Sequence, residues 1–163
     1  MRVLEILHVS ALAVALGMTA AMTAVADDHG DALVERGRYL ARIAGCNDCH
    51  TPGYPQSDGI VPESGWLVGD HLGWRGPWGT TYAGNLRLLA DDISEEQWLN
   101  LARTAKYRPP MPWFALRDMT DEDVIAIYRL LRHLGPAGEP VPEWVPPDQE
   151  PKGPYVMFPA PPQ

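Results

Sequence analysis

Cys46-Asn47-Asp48-Cys49-His50 decides how this chain is read. These are the only two cysteines in 163 residues, and C-x-x-C-H is the attachment signature of a c-type haem. The spacing has a physical reason. Two cysteines three apart at a helix end can each form a thioether to one haem vinyl group, and the next histidine then falls beneath the iron as its proximal ligand. Other readings of the run are weaker. Structural zinc wants four ligands, usually from two paired motifs, and only one pair exists. A thioredoxin-like redox pair needs a βαβ setting, which the pattern lacks. A plain disulfide leaves His50 without a role.

Working outward, Asp31 to about Asp48 reads as a helix, with Leu33, Gly37, Leu40 and Ala44 on one stripe. Gly37 inside that stripe lowers helix propensity and predicts close approach of a second helix. Ser94 and Gln97 form a capping-box pattern, with Ile93 and Trp98 at the staple positions. That helix carries Trp98, Leu101, Ala102 and Ala105 on its buried face and is expected to stop at Pro109-Pro110. Thr120 caps a third helix to Leu134, with Asp121, Glu122 and Asp123 at its positive end and Arg129, Arg132 and His133 near its negative end. Its buried stripe is Val124, Ile127, Tyr128, Leu131 and Leu134, and Gly135-Pro136 stops it. No hairpin or alternating strand is evident. Thr51 to Asp92 reads as loop, and a loop that long in a small domain makes sense if it wraps a large rigid body.

An iron beneath which His50 sits needs a partner on its other face, or an open site. Met111 lies in Pro109-Pro110-Met111-Pro112-Trp113, where flanking prolines hold the backbone and can present a thioether. It is the preferred sixth ligand, against gap-filling in the core. Met119, beside a helix cap, reads as packing, and Met157 lies in the tail. Among histidines, His71 in the long loop is the rival ligand. His133 falls opposite its helix's buried stripe, and His29 lies near the start of the globular part.

The two ends differ from the middle. Arg2, the apolar run from about Val9 to Ala26 and the site Ala24-Val25-Ala26 predict a signal peptide over residues 1–26. An uncleaved anchor is the alternative, disfavoured because the run is rich in alanine and threonine. Glu5 is an acid where such a segment is normally basic. Residues 135–163 hold ten prolines and are expected to be extended, because proline removes donors and breaks helices. Trp144, Val145, Tyr155, Val156, Met157 and Phe158 give that tail apolar area. It reads as a strap across its own domain in preference to a docking arm. The globular domain is then residues 27–134.

The net charge of −8 excludes nucleic-acid binding through phosphates. Two cysteines exclude a disulfide-rich scaffold. A single long apolar run excludes a multi-pass membrane protein, and signal cleavage leaves no membrane span.

Gly37-Arg38-Tyr39-Leu40-Ala41, the haem motif, Gly76-Pro77-Trp78-Gly79-Thr80-Thr81-Tyr82-Ala83-Gly84-Asn85-Leu86, Met111-Pro112-Trp113 and Met119-Thr120-Asp121-Glu122-Asp123 together resemble class I c-type cytochromes. More narrowly, they resemble cytochrome c subunits and domains that accept electrons from periplasmic dehydrogenases. The resemblance runs over about residues 31–135. It implies an all-α fold, a cytochrome c-like helical domain wrapped around one covalent haem c, with its first and last helices crossing near Gly37 and Tyr128. It implies His50 and Met111 as axial ligands, and Trp78, Tyr82 and Asn85 as residues that line the haem or bond its propionates. It implies a periplasmic location, a dehydrogenase as donor and a cytochrome or oxidase as acceptor. Those dehydrogenase subunits often carry several haem motifs; this chain has one.

The expected function is one-electron transfer by a carrier, not an enzyme: no acid, base or nucleophile is assembled, and closed His–Met ligation blocks small molecules at iron. An acidic surface suits basic patches on transient partners. Two further readings stay open, a subunit docked permanently to a dehydrogenase, and a haem sensor or peroxidase with an open sixth site.

Overall fold

The computed structural model describes residues 30–159, so the expected signal segment and His29 lie outside the described residues. Helix α1 occupies 30–43. Gly45 then takes a left-handed conformation (φ 76°), and a separate short helix, α2, runs Cys46–His50. The single helix expected to Asp48 is therefore two. The left-handed residue cannot continue α1, and the turn re-aims the chain just before the first cysteine. The remaining helices are α3 (Leu86–Asp92), α4 (Glu95–Thr104), α5 (Trp113–Asp118) and α6 (Asp121–Leu134).

The ends of α4 and α6 follow their sequence signals. Ser94 Oγ accepts from Gln97 N, and Gln97 Oε1 accepts from Ser94 N, completing the capping box. Thr120 Oγ1 accepts from Asp123 N (3.1 Å). α4 ends at Thr104, however, several residues before Pro109-Pro110. The prolines hold a connecting loop, and α5, which no periodicity marks, follows it.

The core lies where α1, α3 and α4 meet α6. Leu40 and Ala41 of α1, Ala90 of α3 and Trp98 and Ala102 of α4 are buried with Val124, Ile127, Leu130 and Leu131 of α6. Gly37 is where α1 and α6 touch. A Cβ there would collide with the Ala126 carbonyl and stand 2.9 Å from Leu130 Cβ, so the backbones meet because glycine has no side chain. The crossing is at Ala126 and Leu130, beside the Tyr128 that the resemblance implies. Trp98 Nε1 donates to Val124 O (3.0 Å) and Tyr128 Oη to Ile93 O (2.9 Å). Both aromatic residues are thus buried with their polar tips satisfied.

The fold is mainly helical, as expected, but the expectation of no hairpin or strand needs correction. Gly73–Gly76 (β1) and Gly79–Tyr82 (β2) form an antiparallel hairpin, and Tyr155–Met157 (β3) pairs parallel to β1, giving the order β2-β1-β3. Pro77 presets the connecting turn, and Gly79 closes it at φ 94°. Four-residue strands are too short to show alternation. The stretch read as loop from Thr51 to Asp92 therefore holds a hairpin, α3 and two single-turn 3₁₀ segments.

The C-terminal segment lies along the domain. Val145 N donates to Thr80 O (3.0 Å) and Thr80 N to Val145 O (2.8 Å). Arg75, buried at 8% exposure, donates to Gln149 O (2.8 Å) and Pro147 O (3.3 Å). A chain rich in proline has few backbone donors of its own; here its carbonyls are met by a buried guanidinium. A second one, Arg87, donates to Ser64 O (2.8 Å) and to the carbonyls of Leu134 and Gly135, closing the end of α6 against the loop before the hairpin. No helix among the described residues is long and apolar enough to cross a membrane.

Candidate functional site

A cavity of about 400 Å³ opens between α2, the end of the hairpin, α4 and the loop after it. Its size falls in the range of ordinary cofactor and ligand sites. Cys46, Cys49 and His50 form one part of the wall, and Met111, Met119 and Leu116 another. Trp98, Leu101, Ala102 and Ile127 supply an apolar floor continuous with the core.

Gly45 sets the exit direction of α1, so the short α2 presents Cys46, Cys49 and His50 to the same space. Both cysteines are free thiols. Burial, with lesser help from Asp48 and Cys49, pushes the Cys46 thiol up to about 11. Burial, Asp48 and Asp70 raise Cys49 as well. The pair is therefore in the thiol form at neutral pH. Among the described residues no group of three or more His, Cys, Asp or Glu side chains could hold a metal ion.

His50 is 9% exposed, and its Nδ1 stands 2.7 Å from Gly84 O. A carbonyl only accepts, so Nδ1 carries the proton and Nε2 keeps its lone pair. Burial lowers the imidazole's pKa, opposed by the bond to Gly84, so the ring is neutral. A neutral imidazole, fixed in one tautomer by a carbonyl, is how a histidine is oriented to ligate iron. The bond needs the hairpin end held against α2. Gly69 N donates to His50 O (2.9 Å), and Asp70 N donates to Ala83 O (3.0 Å). Beneath α2, Leu67 N donates to Thr51 Oγ1 and Thr51 Oγ1 to Asn47 Oδ1, both at 2.8 Å.

The donor set fits a covalent haem: two unbridged thiols, one free imidazole nitrogen and two thioethers around an apolar cavity. Met111 lines it between Pro110 and Pro112, and Met111 O accepts from Trp113 N (2.9 Å) at the start of α5. Met119, read from sequence as packing, lines it too. Tyr82 is in the wall. Trp78 and Asn85 are not among the residues of the wall. Asn85 Oδ1 caps α3, accepting from Arg87 N (3.0 Å) and Leu88 N (3.1 Å), while its Nδ2 donates to Ala137 O (2.8 Å). The Trp78 ring packs on Phe158, and its carbonyl accepts from Trp144 Nε1 (2.9 Å). His133 is exposed on α6, as its position opposite the buried stripe predicts.

Several wall residues were not singled out as such by sequence reasoning, among them Tyr107, Arg108, Pro142 and Trp144. Pro142 and Trp144 come from the C-terminal segment, and Tyr107 and Arg108 from the loop before Met111. Nothing local marks them; the tertiary path of the tail brings Pro142 and Trp144 to the cavity, and Tyr107 and Arg108 come with the loop that carries Met111.

The chain is similar to "Alcohol dehydrogenase (quinone), cytochrome c subunit" of Gluconobacter oxydans (strain 621H), at 28% identity over 75% of this chain and 26% of that protein. It is similar to "Gluconate 2-dehydrogenase cytochrome c subunit" of Pantoea cypripedii, at 31% identity over 76% of this chain and 28% of that protein. It thus spans about a quarter of the length of these curated relatives. No family model matches the chain, and no solved structure does. The resemblance to cytochrome c subunits of dehydrogenases, expected from the motifs, is shown by these matches.

Proposed function

We propose that this relative of dehydrogenase cytochrome c subunits is an exported, periplasmic electron-transfer protein carrying one haem c. Cys46 and Cys49 would hold the group by thioethers, and His50 Nε2 and Met111 Sδ would be the ligands offered to its iron. The bound iron supplies a one-electron couple. The chain's own residues do the rest. Gly84 O fixes the His50 tautomer, Pro110 and Pro112 hold Met111 in place, and the apolar floor of Trp98, Leu101 and Ile127 excludes water. The single observation that carries this reading is the His50–Gly84 bond beside two free thiols on one cavity wall.

A second reading rests on the printed names of the relatives, which are subunits of dehydrogenases. In it, the chain accepts electrons as a docked part of such a complex and passes them to a cytochrome or oxidase.

The deciding experiment is the absorption spectrum of protein made in a host that attaches haem, taken oxidised, reduced, and reduced under carbon monoxide. A low-spin c-type spectrum with a methionine–iron charge-transfer band, unchanged by carbon monoxide, is expected. A high-spin spectrum, or one altered by carbon monoxide, overturns the closed site and favours a sensor or peroxidase. Co-purification with a dehydrogenase separates the subunit from the free carrier.

A further inference from the structure

Arg108 is the only permanently charged side chain in the described cavity wall; the other ionisable groups there are Cys46, Cys49, His50, Tyr82 and Tyr107. Among the described residues its guanidinium makes no hydrogen bond and no ion pair, unlike Arg36, Arg38, Arg103, Arg117, Arg129 and Arg132. Instead its Cζ lies 4.1 Å above the centroid of the Trp144 ring. A cation over an indole face keeps its in-plane donors free.

The ring beneath it is seated firmly. Trp144 Nε1 donates to Trp78 O, and the paired backbones of Val145 and Thr80 hold the next residue. A Cβ at Gly79 would stand 2.7 Å from Trp144 Nε1, so the indole occupies space that only glycine leaves. Thr81 Oγ1 donates to Pro109 O (2.7 Å), tying the Arg108 loop to the same strand. Two side chains 36 positions apart are thus brought to one side of the cavity, one presenting unused donors, the other a platform.

We propose that Arg108, stacked on Trp144, is an anion-binding element of this cavity that takes a carboxylate of the bound group, a haem propionate. This rests on the haem reading above. Planar guanidinium donors match a carboxylate two at a time, and an apolar wall with one cation leaves no competing counter-ion. The C-terminal segment thereby contributes to the cofactor site: Trp144 is a positioning residue, and Arg108 makes the contact. A cation held there also favours the reduced, less positive iron.

The test uses the loaded full chain and two readouts, the reduction potential and the propionate-bending band in the resonance Raman spectrum. Arg108→Leu is expected to lower the potential and to shift that band as its hydrogen bonding weakens. Arg129→Leu, which removes an equal charge from an exposed pair with Glu95, should leave the band unmoved. Trp144→Leu keeps the cation and should shift the band in the same direction by less. If Arg108→Leu fails to load, Arg108→Gln is read in its place. A band unmoved in the Arg108 variant, or moved as far in Arg129→Leu, overturns the proposal. A wild-type chain that carries no haem overturns the reading beneath it instead.

Discussion

His50 and Gly84 are 34 positions apart, yet Nδ1 of one meets the carbonyl oxygen of the other at 2.7 Å. The contact depends on a neighbouring crossover at Gly69. That residue has φ 81°, and a Cβ there would stand 2.8 Å from Asn85 N and 2.9 Å from Ala83 O. Gly69→Ala should therefore destabilise the loaded protein by about 1–3 kcal/mol. Gly84→Ala, where an added Cβ meets nothing within 4 Å, should cost little. Thermal unfolding of the two variants compares them; equal losses would show that the crossover is not what holds the carbonyl in place.

Two methionines line the cavity, and they should behave differently. Met111→Leu is expected to abolish the methionine–iron band and admit carbon monoxide to the reduced protein. Met119→Leu, a nearly volume-conserving exchange, should keep the band. Reversal of the two phenotypes would move the sixth ligand to Met119.

Gly37 lets α1 and α6 meet by the absence of a side chain. Gly37→Ala gains helix propensity of up to about 1 kcal/mol but inserts a methyl group against the Ala126 carbonyl and Leu130. Overpacking of this kind costs about 1–3 kcal/mol, so net destabilisation is expected in denaturant unfolding. A stabilised variant would mean the helices part at no cost.

Arg38 forks onto Glu63, with Nη2 2.9 Å from Oε1. The bond from Arg38 holds the Glu63 carboxyl below its ordinary value, against the effect of burial. A lowered carboxylate contributes stability that is fully present above its unfolded pKa, near 4.3, and lost as pH falls through the folded value. Glu63→Gln should thus destabilise by about 0.5–1 kcal/mol at neutral pH, and the gap from wild type should close below about pH 4. Urea midpoints at pH 7 and pH 3 measure it, and a gap that persists in acid would assign the effect to packing.

The segment after Gly135 pairs with β1, meets Arg75 and supplies Pro142 and Trp144 to the cavity wall. Deleting 136–163 should therefore cost the chain its stable haem-loaded fold. A truncated chain that loads haem and unfolds as the full chain does, while losing a dehydrogenase partner, would make the segment a docking arm.

What the sequence disclosed and what it hid divide along one physical line. Cys46, Cys49 and His50, the capping box at Ser94 and the Thr120 cap were legible because each is a local pattern whose chemistry is complete within a few residues. Gly37 was legible because a glycine inside an apolar stripe has one structural use. β1 and β2 were hidden because four residues carry too little alternation to show. The wall residues Tyr107, Arg108, Pro142 and Trp144 were hidden because their meeting is long-range. Asn85 was singled out only by resemblance, and its side chain here caps α3 and tethers Ala137.

The parallel pairing of β3 with β1 also sets an order of events in time. Under the proposed export, a chain crossing a membrane amino end first would deliver Cys46 and Cys49 almost a hundred positions before Trp144. During that interval one side of the cavity has no wall, and under the proposed function both thiols would be reachable by the machinery that joins haem to them. Arrival of the last residues then finishes the enclosure, like a door hung after the furniture is in.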